Sequence, residues 1–231
     1  MRAYILCGGF GTRLSSVLQG SQKAVVDVHG RPFLELVLQQ LKLAGLSEAV
    51  LCAHYRADQL DELLPALAAQ SGLKLQLVVE EQPMGTGGAI LHALHEVRAE
   101  ERYLVLNADT YLDQQAYRLA LGSATDCVLG VMVEDRTRYG SLACTQDLRL
   151  LALNEKGVSG PGLVNAGVYG FSANALSEFE RQACSMEQLI LPQLIELQRL
   201  QVIQYSGPFI DIGTPDALSA FKSRVQEVGK P

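Results

Sequence analysis

The start of the chain carries the feature that most constrains its fold, an apolar run that ends in a glycine-rich loop. Residues 3–7 are apolar, and Gly8, Gly9 and Gly11 follow directly. The run has the length of a buried strand. Because glycine has no Cβ atom, the backbone can approach a ligand closely, and successive N–H groups can line a concave site for phosphate oxygens. The stretch predicts a first strand that leads into a phosphate-binding loop.

Two cations follow these glycines. Arg13 can hold a phosphate with two parallel N–H groups, and Lys23 supplies a point charge. The loop departs from two common glycine motifs, because a dinucleotide fingerprint needs a third glycine where Leu14 stands and a P-loop needs Gly-Lys-Ser/Thr. From the residues alone, we predict a nucleotide-phosphate cradle, with an ordinary tight turn as the alternative.

The first half of the chain alternates strand and helix patterns. Strands are predicted at 48–53, 73–79 and 103–106, and helices at 32–45, about 56–70 and from near Thr86. This alternation is typical of an α/β fold with a doubly wound, mainly parallel, Rossmann-like (GT-A-like) sheet covered on both faces. Ligands of such sheets bind at the carboxyl ends of the strands. The segments 8–13, 80–86 and 107–110 are therefore expected to meet at one edge.

The second half predicts antiparallel additions to the same sheet, within a single domain over 1–231. Short strands with turns between them are predicted at 127–133, 140–144, 148–153 and 163–171, including a hairpin. Helices are predicted near 173–181 and 186–200, a strand near 202–205, and a last helix after Pro215. The antiparallel strands are expected to carry a second part of the ligand site.

Composition limits the partners and the compartment. The 19 basic and 25 acidic residues give a net charge of −6, which argues against general binding to nucleic acid or to an anionic membrane. No apolar stretch reaches the roughly 18 residues of a transmembrane helix, and glycines interrupt the first apolar run too early for a signal peptide. The 5 cysteines are scattered and odd in number. They predict reduced thiols and a cytoplasmic protein.

The glycine segment 8–14, followed by Lys23, resembles the motif of the sugar-1-phosphate nucleotidyltransferases. The resemblance extends over nearly the whole chain. Within that family, the compact form is similar to the guanylyltransferases that act on D-glycero-α-D-manno-heptose 1-phosphate. One departure is Gln22, which stands where the family usually has proline before the lysine. Loss of that proline predicts a looser loop around Lys23.

The resemblance implies which residues bind the nucleotide and the metal. The nucleotide would be held by Leu6, Gly8, Gly9, Gly11, Thr12, Arg13, Lys23, Glu80, Gly85, Thr86 and Asp109. Arg13 and Lys23 would act in catalysis by neutralising the triphosphate, and Asp109 and Asp211 would hold Mg²⁺, which prefers hard oxygen ligands. The residues alone leave a helix N-cap open for Asp109 and a turn residue open for Asp211.

Glu80 is the residue that bears on the choice of base. The segment 80–89 resembles the base-recognition loop of the family, in which relatives that use uridine or thymidine nucleotides commonly carry glutamine at the position of Glu80. A carboxylate only accepts hydrogen bonds, so it suits the adjacent N1–H and N2–H₂ donors of guanine and opposes the carbonyl oxygens of uracil. GTP is therefore the favoured nucleotide, with a solvated loop acid as the alternative.

The sugar phosphate is assigned to the second half by resemblance. Glu155 would hold sugar hydroxyls, Lys156 would act in catalysis by gripping the sugar phosphate, and Asn165 and Gly167 would lie at the sugar together with Asn107. A surface charge pair is the alternative for Glu155 and Lys156. The turn 158–162 is expected to be mobile and to close over substrate.

These features together favour a Mg²⁺-dependent transfer of GMP from GTP to a sugar 1-phosphate, with release of pyrophosphate. The favoured acceptor is D-glycero-α-D-manno-heptose 1-phosphate, and the product would supply polysaccharide synthesis. Within the class, the rivals are a uridylyltransferase and an enzyme for a hexose or amino-sugar phosphate. Outside it, the rival is a catalytically silent nucleotide-sugar sensor. The sequence leaves the oligomeric state open, a homo-oligomer included.

Overall fold

A computed structural model describes residues 1–18 and 20–228, and its central element is a mixed β-sheet. The strands are β1 (Arg2–Leu6), β2 (Asp27–Val28), β3 (Arg31–Pro32), β4 (Glu48–Ala53), β5 (Lys74–Val79), β6 (Tyr103–Asn107), β7 (Thr110–Leu112), β8 (Asp126–Val133), β9 (Ser141–Cys144), β10 (Leu150–Asn154), β11 (Gly162–Phe171), β12 (Leu200–Tyr205) and β13 (Phe209–Asp211). The helices are α1 (Ser15–Leu18), α2 (Phe33–Leu43), α3 (Ala57–Ser71), α4 (Gly85–Glu96), α5 (Gln114–Gly122), α6 (Leu191–Glu196) and α7 (Pro215–Val228).

The sheet has a parallel part and an antiparallel part. Strands β5, β4, β1 and β6 are parallel neighbours, and β11 then pairs antiparallel with β6, β8 and β9. Strands β9 and β10 form an antiparallel hairpin, and β12 pairs parallel with β8. The predicted α/β fold with a mainly parallel sheet and antiparallel additions is confirmed.

Hydrophobic side chains cover both faces of the sheet, because successive side chains of a strand point to opposite faces. In β1, Ala3 and Ile5 face a core shared with α2, α3, α5 and α7, whereas Tyr4 faces a core shared with α4 and α6. Burial on both faces explains why β1, β4 and β6 are nearly continuous apolar runs, whereas β5, at the end of the parallel part, alternates in its first half. No helix in the described part of the chain combines the length and the apolar character needed to cross a membrane.

The predicted helix near 173–181 is wrong. The segment forms successive turns in which Ala175, Ser177 and Phe179 each donate an N–H to the carbonyl three residues earlier. The hydroxyl of Ser177 also donates to the carbonyl of Asn174. Serine and asparagine side chains compete for backbone groups in this way, which weakens a continuous helix.

The predicted helix over 186–200 is interrupted at its start and shorter at its end. Met186–Ile190 forms a π-helical turn in which the Leu191 N–H donates to the Met186 carbonyl. Pro192 has no N–H to donate to the residue four earlier, so the α-helical hydrogen bond cannot form at that point. Helix α6 ends at Glu196, and strand β12 begins at Leu200. Helix α5 was not predicted, although Asp113 caps it by accepting from the N–H groups of Gln115 and Ala116.

Candidate active site

A cavity of about 360 Å³ opens above the carboxyl ends of β1, β4 and β6. We call it the glycine-loop cavity. The predicted nucleotide residues that line it are Leu6, Gly8, Gly9, Lys23, Glu80, Gly85, Thr86 and Asp109. Gly11, Thr12 and Arg13 lie outside both cavity linings described here, on a 3₁₀ turn where Arg13 is exposed. Gly11 has a left-handed φ of 61°, and a Cβ atom there would lie 2.7 Å from Leu18.

Lys23 and Asp109 form an ion pair beside this cavity. The Nζ atom of Lys23 donates to Oδ2 of Asp109, which follows β6. No helix begins at Asp109, so a helix N-cap is excluded for this residue. The pair places one cation and one carboxylate at the carboxyl end of β6, in the lining of the glycine-loop cavity.

Gln22 holds this part of the loop in place. It is 1% exposed, its Oε1 accepts from the Ala24 N–H at 2.6 Å, and its Nε2 donates to the carbonyl of Cys7. Its own N–H donates to Oε1 of Gln59 at 2.7 Å. The expectation of a looser loop is therefore wrong, because three hydrogen bonds fix the residue that replaces proline.

Glu80 lies at the floor of the glycine-loop cavity and is 6% exposed. Its Oε2 accepts from the Met84 N–H at 2.7 Å, and a Cβ atom on Gly8 would lie 3.6 Å from its Oε1. Burial raises the pKa of the Glu80 carboxyl, and the hydrogen bond from Met84 opposes that rise. Glu80 is thus a buried carboxylate of the cavity and not a solvated loop acid.

The beginning of α4 packs against the segment 182–188. The N–H groups of Gly87 and Gly88 donate to the Cys184 carbonyl at 2.9 and 3.1 Å, so this carbonyl satisfies donors that a helix start leaves free. Gly85 has a φ of +72°, and a Cβ atom there would lie 2.6 Å from the same carbonyl oxygen. The glycines of this loop therefore allow a close backbone contact within the protein.

A second cavity of about 370 Å³ lies between the β9–β10 hairpin, β11 and β13. We call it the hairpin cavity. All predicted sugar and metal residues line it, namely Asn107, Asp109, Glu155, Lys156, Asn165, Gly167 and Asp211. Gly167 has a φ of +70°, and a Cβ atom there would lie 2.5 Å from Nδ2 of Asn107. This glycine lets Asn107 lie against β11 at the wall of the cavity.

Asn165 has its hydrogen bonds within β11. Its Oδ1 accepts from the Gly167 N–H at 2.9 Å, and its Nδ2 donates to the Tyr169 hydroxyl at 2.8 Å. These contacts fix the irregularity in the pairing of β11 with β8 between Asn165 and Tyr169. Asn165 thus shapes the wall in addition to lining it.

Asp109 directly precedes β7, which pairs with the strand that carries Asp211. Asp211 lies opposite Thr110 in the β7–β13 ladder, and the Ile212 N–H donates to the Asp109 carbonyl at 3.0 Å. Oδ1 of Asp211 accepts from the Gly213 N–H at 2.6 Å, and its Oδ2 lies 3.5 Å from the Arg138 guanidinium. Two hard carboxylates on one cavity fit a Mg²⁺ ion that takes its other ligands from phosphates and water. The described residues contain no larger group of metal-ligating side chains.

Glu187 lines the candidate site but was not predicted from the sequence. It lines both cavities, together with Asn107 and Asp109, which form the wall that the two cavities share. Its Oε2 accepts from Thr86 Oγ1 at 2.9 Å and from Ser185 Oγ at 3.0 Å. Ser185 before Glu187 is a recognisable N-cap signal, but no local pattern places this turn against α4.

The fold and the two joined cavities define an enzyme of the nucleotidyltransferase class. The chain belongs to the nucleotidyl transferase family, whose model matches residues 2–227. It is 31% identical to the D-glycero-alpha-D-manno-heptose 1-phosphate guanylyltransferase of Campylobacter jejuni, over 94% of this chain and 96% of that protein. The predicted family is confirmed.

Two further comparisons extend this result. The mannose-1-phosphate guanylyltransferase catalytic subunit beta of Drosophila pseudoobscura is 31% identical over 93% of this chain and 59% of its own length. The crystal structure of HddC from Yersinia pseudotuberculosis superposes with a TM-score of 0.84 and 32% identity, covering 97% of this chain and 99% of that one. HddC has also been solved in complex with GMP-PN.

Proposed function

We propose that this enzyme transfers a guanylyl group from GTP to D-glycero-α-D-manno-heptose 1-phosphate and releases pyrophosphate. The observation that carries the proposal is the shared wall, where the glycine-loop cavity and the hairpin cavity meet at Asp109. One cavity offers a glycine backbone and Lys23 for a nucleotide, and the other offers Lys156 for an acceptor phosphate. The choice of substrates is supported by the name of the Campylobacter jejuni relative, a heptose 1-phosphate guanylyltransferase, and by the complex of HddC with GMP-PN.

The reaction needs charge neutralisation and alignment more than proton transfer. The acceptor phosphate is already ionised at neutral pH, so its oxygen attacks the α-phosphorus of GTP while the bond to pyrophosphate breaks. Lys156 would hold the acceptor phosphate. Lys23 would neutralise the triphosphate together with Arg13, whose exposed side chain would turn toward the triphosphate. When bound to Asp109 and Asp211, Mg²⁺ supplies further positive charge to the phosphate oxygens.

The guanine base would be selected by Glu80. Its buried carboxylate faces the glycine-loop cavity next to Gly8, where it can accept from both N1–H and N2–H₂ of guanine. A pyrimidine would place a carbonyl oxygen against the same carboxylate. A polar site that is left unpaired in this way discriminates strongly between ligands.

The acceptor has one supported rival, mannose 1-phosphate, because the Drosophila pseudoobscura relative is named for that substrate. Both sugars present hydroxyl groups at the hairpin cavity. Glu155 could accept hydrogen bonds from these hydroxyls, and the Asn107 amide could both donate to them and accept from them.

We further propose that the nucleotide-sugar supplies assembly of a polysaccharide such as a capsule or lipopolysaccharide. A cytoplasmic location is proposed on the free thiols of Cys7, Cys52 and Cys127.

The test is pyrophosphate release with GTP, UTP, dTTP, CTP and ATP against a panel of sugar 1-phosphates that includes the heptose and mannose. We expect activity to be highest with GTP and the heptose 1-phosphate. A preference for UTP would refute the role of Glu80 but keep the reaction. Absence of pyrophosphate with every pair would refute the proposed reaction and favour a silent nucleotide-sugar sensor.

A further inference from the structure

The loop that carries Lys156 is fastened to a neighbouring loop by hydrogen bonds. We call residues 155–161 the acceptor loop and residues 134–140 the strap loop. Arg136 donates its backbone N–H and its Nε to the Gly160 carbonyl, both at 3.2 Å, and its Nη2 to the Ser159 carbonyl at 3.2 Å. The Gly157 N–H donates to the Thr137 carbonyl at 3.0 Å. The two loops are therefore held together at both ends of the acceptor loop.

The acceptor loop is exposed and irregular, and its other hydrogen bonds also go to the strap loop. Residues 155–159 are exposed and belong to no helix or strand. Gly157 and Gly160 adopt left-handed φ angles of 103° and 82°, which turn the chain sharply on either side of Val158. A loop with few buried contacts opens easily, so the hydrogen bonds from Arg136 account for much of its order.

The strap loop reaches the opposite side of the hairpin cavity. Tyr139 packs on Phe209 with ring centroids 5.2 Å apart, and Arg138 lies 3.5 Å from Oδ2 of Asp211. At its end, the Gly140 carbonyl accepts from the Asn165 N–H at 2.9 Å. The strap loop thus connects the side of the cavity that carries Lys156 with the side that carries Asp211.

We propose that Arg136 is a positioning residue for the acceptor sugar phosphate. It holds the acceptor loop where Lys156 lines the hairpin cavity, which rests on the proposed function of Lys156. Lysine is a point charge on a flexible stem, so its contribution depends on where the backbone places it. Ordering a loop on binding lowers affinity. Because Arg136 orders the acceptor loop in the free protein, less conformational entropy is lost when the sugar phosphate binds. No motif in the sequence pointed to Arg136.

The kinetic test compares the wild type with Arg136→Ala, Arg136→Lys and Arg118→Ala, with GTP and the heptose 1-phosphate as substrates. Arg118 is a matched control, because it donates from Nη2 to the Leu43 carbonyl at 2.5 Å between α5 and α2. We expect Arg136→Ala to raise the KM of the sugar 1-phosphate about tenfold and to leave the KM of GTP unchanged. Arg136→Lys should be intermediate, and Arg118→Ala should match the wild type. An equal rise of both KM values, or no rise, would overturn the proposal.

Limited trypsin digestion tests the same contact without turnover. Cleavage after Lys156, identified from fragment masses, should be about tenfold faster in Arg136→Ala than in the wild type and in Arg118→Ala. Cleavage at the wild-type rate would overturn the proposal. Absence of turnover by the wild type with every sugar phosphate would refute the proposed function alone, and the digestion would still decide whether Arg136 orders the loop.

Discussion

The Glu80 carboxyl is buried at a cost to stability. Burial raises its pKa, so the folded state binds a proton more readily than the unfolded state. Its stabilising contribution is therefore complete below the unfolded pKa of about 4.3 and is lost as pH rises through the raised folded pKa. Once ionised, the buried carboxylate pairs fully only with a ligand that donates hydrogen bonds.

We predict that Glu80→Gln raises the Tm at pH 7 and weakens the preference for GTP over UTP. Glutamine retains an acceptor for the Met84 N–H but carries no charge, so the cost of burying an ionised group disappears. Thermal melts at pH 4 and pH 7, together with kcat/KM for both nucleotides, check this. The gain in Tm should vanish at pH 4, where the wild-type carboxyl becomes protonated. Glu81→Gln, on the exposed neighbour, is the matched control.

Gln22 illustrates what a single residue pattern can and cannot predict. The sequence predicts that Lys23 is a phosphate-binding cation, and in the structure Lys23 forms an ion pair with Asp109. Besides the Ala24 N–H, the partners of Gln22 are the carbonyl of Cys7 and the side chain of Gln59, and these two are distant in sequence. No local propensity encodes such contacts, so the replacement of proline was wrongly expected to loosen the loop.

At the level of elements, the first turn of α4 and the turn at Glu187 form one contact. Thr86 Oγ1 donates to Glu187 and accepts from the Met186 N–H at 2.8 Å, and Met186 is fully buried. The contact joins the glycine-loop cavity to the hairpin cavity, since Glu187 lines both. Loss of the Thr86 hydroxyl should therefore affect stability and both substrates.

We predict that Thr86→Val lowers the free energy of unfolding by about 1–3 kcal/mol, because it leaves the buried Met186 N–H without a partner. The KM values of GTP and the sugar 1-phosphate should both rise. Chemical denaturation and initial rates measure the two effects. Thr125→Val is the control, since Thr125, just before the start of β8, is exposed and its hydroxyl donates to the side chain of Gln201. Equal stability of both variants would contradict the role assigned to Thr86.

The predictions of helices and strands are correct where the pattern of apolar residues determines the element, and wrong where side-chain or tertiary contacts determine it. Strand β4 was predicted at 48–53 and is observed as Glu48–Ala53, because a short apolar run of this length is typical of a strand buried on both faces of a parallel sheet. Helix α5 was missed although Ala116, Tyr117 and Ala120 fall on one face at helical spacing, because the segment is short and two of these three core-facing residues are alanines. The turns at 173–181 and the π-helical turn before Pro192 depend on side-chain competition and on one missing donor.

For the whole molecule, topology predicted more of the site than any motif did. Carboxyl ends of parallel strands meet at one edge, which correctly brought Gly8, Glu80 and Asp109 to one cavity. The placement of Asp211 came only from resemblance, because β13 pairs with β7 in a small separate sheet. Glu187 was not predicted, because its position also depends on a tertiary contact, the packing of the second half of the chain on α4.

The site joins the first half of the chain to its C-terminal part through two carboxylates. Asp109 is neutralised by Lys23, and Asp211 lies 3.5 Å from the Arg138 guanidinium. Each carboxylate thus already has a cation beside it, and a divalent metal would have to compete with Lys23 and Arg138 for the two oxygen ligands. Removing either carboxylate should weaken metal binding more than it disturbs the fold.

We predict that Asp109→Asn and Asp211→Asn each lower kcat at least about 100-fold, because charge neutralisation at the phosphates is lost. Each variant should also bind Mn²⁺ more weakly in a titration that follows free Mn²⁺ by electron paramagnetic resonance. Circular dichroism should stay as in the wild type, and Asp61→Asn on the exposed face of α3 should change neither activity nor Mn²⁺ affinity. If Asp109→Asn kept its Mg²⁺-dependent turnover, the metal would have to be held elsewhere, and the assignment of the shared wall as the reaction centre would fail with it.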